Sequence, residues 1–230
     1  MKIWALLLAI VMPSAVAGSE PPITALAFAP DGKLVVVGSQ AGLTIRNWPA
    51  LTLVRKLPTE LSNVHDLQFS PNGKLLAAAG GRPSESGSLA LYEWPDGSLM
   101  RRMETHKDVI YSATWRSDSK AIATASADRT IHIHDVSETK PHRVLEGHSR
   151  AVLAVLYLSG DAELLSAGVD ESLRVWDAET GRSIRQMSQH TQPVLGLALR
   201  PGLAADAAPM VASIGAGRPD ASPSEASAQV

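Results

Sequence analysis

The chain contains no cysteine. No disulfide can therefore staple the fold in an oxidising compartment, and its stability has to come from packing. An excess of basic residues is also missing: 21 Lys and Arg face 23 Asp and Glu, a net charge of −2. That balance excludes the electrostatic footprint of a nucleic-acid binder. Apolar runs long enough for helices are few, whereas 17 Gly and 15 Pro supply many turns, and 45% of the residues are hydrophobic. Such a composition belongs to the soluble globular class.

The longest apolar run lies at the start. Residues 1–17 have the layout of a secretory signal peptide: Lys2 as a short positive region, an apolar stretch from Ile3 to Met12, then Pro13 and Ala15-Val16-Ala17 before Gly18. The stretch is well short of the ~20 residues that span a bilayer, so no membrane span is expected after cleavage. No cysteine follows the small-residue site, which removes a lipoprotein anchor. Cleavage takes away one Lys and leaves 20 basic against 23 acidic residues, a net charge of −3. An exported protein, periplasmic or secreted, is the expectation.

Beyond residue 20 the chain repeats. Its fullest unit, Glu146 to Met187, has four apolar runs of strand length: Ala151–Leu158, Glu163–Gly168, Ser172–Trp176 and Arg182–Met187. The breaks between them are rich in Gly, Asp and Ser, which predicts a four-stranded antiparallel meander. Gly147-His148 opens the unit and Trp176-Asp177 closes its third strand. The unit resembles the WD-repeat (WD40) β-propeller family. The resemblance implies a hydrogen-bonded chain of His, strand hydroxyl, turn Asp and Trp inside the blade, at His148, Ser166, Asp170 and Trp176. In the preceding repeat the matching positions are His106, Thr124, Asp128 and His134, with His in place of Trp.

The residues that close each first strand make the period visible, since Phe28, Phe69, Trp115, Tyr157 and Leu199 fall 41 to 46 residues apart. The expected fold is all-β, a propeller of four-stranded antiparallel blades at about 23–57, 64–103, 110–145 and 152–187. A partial fifth blade follows at 194–214, so the ring is incomplete, and 215–230 is expected to be a disordered tail. Trp48 and Trp94 are expected at the position of Trp176. Between the second and third strands of the second repeat, Gly80–Ser88 is expected to form an inserted loop carrying Arg82 and Glu85 as candidate contacts.

Unclosed blades leave apolar faces and strand edges in water. Truncation from a longer multidomain product, self-association that completes the ring, or imperfect closure are the three ways out. His132 and His134, two apart on one strand, have a spacing that some metal sites use, but no third ligand is visible nearby in sequence, so neither a metal nor another cofactor is assigned. Arg46, Tyr92, His132 and Arg174 are expected to share one third-strand position and to line one partner surface. First-strand residues His65, Asp66 and Ser112 line the channel without acid–base or nucleophile logic, so no catalytic residue is assigned. The expected role is a non-catalytic scaffold binding a protein or peptide partner through propeller loops and faces. The alternatives are an exported propeller hydrolase, a lectin-like ligand-binding module, or the docking domain of a longer protein.

Overall fold

The structure is a computed structural model that describes residues 21–199 and 211–215. The leader expected at 1–17 and the tail expected at 215–230 lie outside the described residues, Gly215 excepted.

Every described element is a strand. Blade 1 consists of β1 (Ile23–Phe28), β2 (Leu34–Ser39), β3 (Gly42–Asn47) and β4 (Leu53–Leu57). Blade 2 consists of β5 (Val64–Phe69), β6 (Leu75–Arg82), β7 (Ser86–Glu93) and β8 (Leu99–His106). Blade 3 follows with β9 (Ile110–Trp115), β10 (Ala121–Ser126), β11 (Thr130–Asp135) and β12 (Pro141–Glu146). Blade 4 holds β13 (Val152–Tyr157), β14 (Glu163–Gly168), β15 (Leu173–Asp177) and β16 (Ser183–Met187). Each is an antiparallel meander in chain order, and β17 (Val194–Leu199) pairs with β18 (Val211–Gly215) as a partial fifth.

The reason for this architecture is visible in the alternation. Along β2 and β3, Val36 and Ile45 are Cα partners and both face blade 2, where they meet Leu67 and Leu76 in one buried cluster. Blades 2 and 3 meet through Leu89, Leu91, Ile110 and Ile122, and blades 3 and 4 through Ile131, Ile133, Val155 and Trp176. Ala154, Ala167 and Val194 join blade 4 to β17. Blades 2, 3 and 4 thus bury both faces of their inner strands against neighbours, and all six residues of β10 are buried; blade 1 is covered on the blade 2 side. The first strands β1, β5, β9, β13 and β17 pack side by side as the inner layer.

Small residues allow the close approach. A Cβ at Gly80 would lie 1.7 Å from the Asn63 carbonyl oxygen, so no side chain fits where β6 meets the link into β5.

One expected loop is a strand pair instead. Residues 80–88 extend β6 and β7 as a hairpin, with Gly80 paired to Ser88 and Arg82 to Ser86. Only Pro83, Ser84 and Glu85 turn, with Ser84 at φ +59°. The inserted residues continue the ladder because pairing satisfies backbone groups that a loop would leave to solvent. Arg82 and Glu85 form an ion pair at 3.1 Å across this turn, with 61% and 62% of their side chains exposed.

Candidate functional site

The polar residues singled out in blades 3 and 4 converge at one end of each blade, where the link from the preceding blade meets the turn between the second and third strands. In blade 4, Nδ1–H of His148 donates to Asp170 at 2.9 Å and its Nε2 lies 2.7 Å from Ser166 Oγ. Indole Nε1–H of Trp176 donates to the same hydroxyl at 2.8 Å. One relay results: Trp N–H to Ser oxygen, Ser O–H to His, His N–H to Asp. Asp170 also accepts from the Ser149 N–H and the Ser172 hydroxyl, at 3.0 and 2.8 Å. Burial pulls the Asp170 pKa upward, but the donors led by His148 outweigh it and hold it below the usual carboxylate range. Burial holds the His148 imidazole below its usual range, against the pull of Asp170.

Blade 3 repeats the inner part of this relay with a different outer part. His106 Nδ1 is 2.9 Å from Asp128, and its Nε2 is 2.9 Å from Thr124 Oγ1. Asp128 accepts as well from the Lys107 N–H and the Thr130 hydroxyl. At the indole position His134 approaches Thr124 Oγ1 through Nε2 at a longer 3.3 Å. Its Nδ1 is buried without a partner, as is His132 Nδ1. Burial first, and the neighbouring imidazoles second, push His132 down to about 4 and His134 down to about 3, so both rings are neutral at physiological pH.

A steric pair explains why Trp gives way to His. A Cβ at Gly147 would meet Trp176 Cη2 at 3.0 Å and Arg174 Nη1 at 3.1 Å. Blade 3 has Thr105 at that point, and its hydroxyl stands 3.5 Å from His134 Nε2. Thr105 occupies the space that Gly147 leaves open, so smaller rings fill the positions of Arg174 and Trp176. The sequence carried this signal as Thr-His against Gly-His.

The register of the third strands corrects two expectations. Asn47, Glu93, Asp135 and Asp177 pair with the first residues of β2, β6, β10 and β14, and are equivalent. One residue earlier stand Arg46, Tyr92, His134 and Trp176. Trp48 and Trp94 therefore do not take the place of Trp176. They lie beyond their strands and pack edge-on against Phe28 and Phe69, each at 4.9 Å between ring centroids. Nor do Arg46, Tyr92, His132 and Arg174 share one position, because His132 and Arg174 align with Ala90 and Thr44. Tyr92 is 1% exposed and His132 7%. Neither offers a partner a surface, whereas Arg46 and Arg174 are half-buried.

Blades 1 and 2 have apolar or small residues where the relay would start, Val37 and Ala78 in place of the strand hydroxyl. In blade 2, Glu60 stands where His148 does and Ala90 where Arg174 does. The missing bulk leaves a cavity of ≈ 280 Å³ lined by Pro58–Leu61, Ala90, Tyr92, Leu99 and Arg102. The buried Tyr92 hydroxyl lies there, beside the Thr59 side chain.

First-strand polar residues tie neighbouring blades together. Asp66 accepts the N–H of Leu67 and, across the blade junction, that of Ala113, both at 2.8 Å. Ser112 accepts from the Val155 N–H at 3.4 Å in the same arrangement one blade on. Burial pushes the Asp66 carboxyl up to about 6 against the pull of these bonds. The His65 ring meets the Tyr111 ring at 5.3 Å. With their oxygens committed to backbone N–H groups, Asp66 and Ser112 act as inter-blade ties.

The sequence matches the WD domain, G-beta repeat, over residues 14–48, 51–93, 97–135 and 139–177. The second to fourth matches each start with the outer strand of one blade and end with the third strand of the next, so the sequence repeat is one strand out of phase with the sheet. Rat (Rattus norvegicus) Jouberin is 38% identical over 82 residues, 34% of this chain and 8% of that protein. The mouse (Mus musculus) intraflagellar transport protein 122 homolog is 38% identical over 71 residues, 30% of this chain and 6% of that one. Periodic tryptophan protein 2 of Saccharomyces cerevisiae is 26% identical over 120 residues, 52% of this chain and 13% of that one. The matched stretches are therefore a small part of each relative's length.

Proposed function

The chain belongs to the WD-repeat family, and from that premise we propose that it is an exported, non-catalytic scaffold for protein–protein interaction. The observation that carries the proposal is the apolar surface of blade 1. Leu26 is 53% exposed, Phe28 38% and Trp48 43%, while Ala25 and Ala27, at the alternate positions of β1, pack against blade 2. Exposed aromatic and aliphatic side chains gathered in one place are what protein partners cover. Internal networks agree with this role: the His, Asp and hydroxyl groups of blades 3 and 4 bond to one another, and a scaffold needs that rigidity more than it needs free polar groups.

Lys2, the apolar run after it and Ala15-Val16-Ala17 support export, with Gly18 as the first residue of the mature chain. Among the described residues no helix is long and apolar enough to cross a membrane.

The test is site-specific photo-crosslinking from position 48 in the producing cell, followed by mass spectrometry of the adducts. A discrete adduct that disappears in Leu26→Asp/Phe28→Asp supports the scaffold, and an adduct of doubled mass identifies a second copy as the partner. Absence of any adduct, in a variant that remains folded, refutes the surface. N-terminal sequencing of the same purified chain decides export, since an intact Met1 would rule out cleavage.

A further inference from the structure

Blade 3 carries a group of side chains that the scaffold role does not use. His106, from the end of β8, and His132 and His134, from β11, each bring one ring nitrogen to within 4.8 Å of the other two. All three are buried, His134 completely, and the His106 side chain is fully enclosed as well. Two of their nitrogens, His132 Nδ1 and His134 Nδ1, have no hydrogen-bond partner. Buried imidazole nitrogens without partners are uncommon and call for an explanation.

We propose that His106, His132 and His134 form a binding site for a first-row transition cation such as Zn²⁺, which would join the outer end of blade 2 to blade 3. Two observations support it. Imidazole is the ligand type that Zn²⁺ and Cu²⁺ accept, and three of them leave a further position open. Asp128 takes the Nδ1–H of His106, which fixes the tautomer that leaves Nε2 unprotonated; a carboxylate behind a ligating histidine does this in metal sites generally.

Two rearrangements are required. The His106 and His132 rings are stacked, 3.7 Å between centroids and 16° between planes, and two parallel rings cannot both point at one ion. His132 is the ring that turns, because its Nδ1 has no hydrogen bond to break, whereas Asp128 and Thr124 hold His106. Thr124 must also release the Nε2 it contacts. Blade 4 offers a natural contrast: Arg174 and Trp176 stand where His132 and His134 stand, and Gly147 where Thr105 does.

The experiment uses the full chain, purified without a histidine tag and stripped with EDTA, in calorimetric titration with Zn²⁺. The visible spectrum with Co²⁺ reports the ligand geometry. The expected result is one ion per chain, a low-symmetry Co²⁺ spectrum and a raised Tm. His132→Gln should weaken binding by about tenfold or more, and Asp128→Asn by about 10–100-fold through loss of the positioning bond. Thr105→Gly/His132→Arg/His134→Trp rebuilds the side chains of blade 4, so it should remain folded and lose the site. No Zn²⁺ uptake by the wild-type chain would overturn the proposal. So would unchanged affinity in the folded triple variant, which would locate the ion at other histidines.

Discussion

Acidification from pH 7 to pH 5 should weaken the fold, and the buried histidines of blade 3 set the size of the effect. In the unfolded chain His132 and His134 titrate near ~6.5. In the folded chain burial and the adjacent imidazoles bring them down to about 4 and about 3. Between those values only the unfolded chain binds the proton, so stability is full above about 6.5 and falls as the pH drops towards the folded values. At pH 5 the gap from the unfolded value is ~1.5 units, worth about 2 kcal/mol for each histidine. Asp66 works the other way. Its carboxyl is raised to about 6, so the folded chain takes up a proton first, returning about 1 kcal/mol over the same interval. The expected net loss from these three groups is about 2–3 kcal/mol, a substantial part of the ~5–15 kcal/mol that holds a domain together, and His148 and His65, also lowered by burial, add to it in the same direction. Urea unfolding at pH 5, 6 and 7, in EDTA and followed by the fluorescence of buried Trp176 and Trp115, measures it. His132→Gln/His134→Gln should flatten the profile and Asp66→Asn should steepen it. A wild-type profile that is level or rises towards pH 5, or a double variant that falls as steeply, would refute the assignment.

Removing the carboxylate of blade 4 with Asp170→Ala leaves the donors on His148, Ser149 and Ser172 short of an acceptor, and should cost about 1–3 kcal/mol in the same unfolding assay. At two glycines the same substitution should give opposite results. Gly80→Ala places its Cβ against the Asn63 backbone and should abolish soluble expression, whereas Gly32→Ala meets nothing and should cost only the ~1 kcal/mol of its positive φ, read as a small shift in Tm. Arg82→Ala breaks an ion pair that is mostly exposed, and chemical denaturation should show a change within about 0.5 kcal/mol.

The blade period was legible in the sequence because it rests on local chemistry. Turns such as Pro71-Asn72-Gly73, and strand-closing residues such as Phe69 and Trp115, recur whatever happens elsewhere in the chain. The partners of His148 and His106 were legible for the same reason, since the strand and turn fix the distance from each His to its Asp. What failed depended on register. Trp-Pro at 48–49 and 94–95 looks like Trp-Asp, yet these tryptophans fall two residues late, because the positions are set by the pairing of β2 with β3 and of β6 with β7. A residue is missing from one hairpin and several are added to the other, and a count along the chain cannot see either. The third imidazole was legible only as a member of the relay: the resemblance placed His106 with Thr124, Asp128 and His134, but nothing in the spacing showed that its ring also stacks on His132.

That displacement also explains how the two halves of the molecule are held together. Because the segments leaving β8 and β12 deliver His106 and His148 into the following blade, the relays of blades 3 and 4 are at once internal hydrogen bonds and ties between blades. Blades 1 and 2 lack them: Val37 and Ala78 replace the strand hydroxyl, and Ala90 lines a small cavity where blade 4 has Arg174. Stability should therefore be graded along the chain. Native-state hydrogen exchange gives the test: amides of β10 and β14 should exchange only through global unfolding, and those of β2 and β6 through smaller openings at lower free energy. Equal protection in all four blades would show that apolar packing alone holds the array, and that the polar relays contribute specificity without adding to its stability.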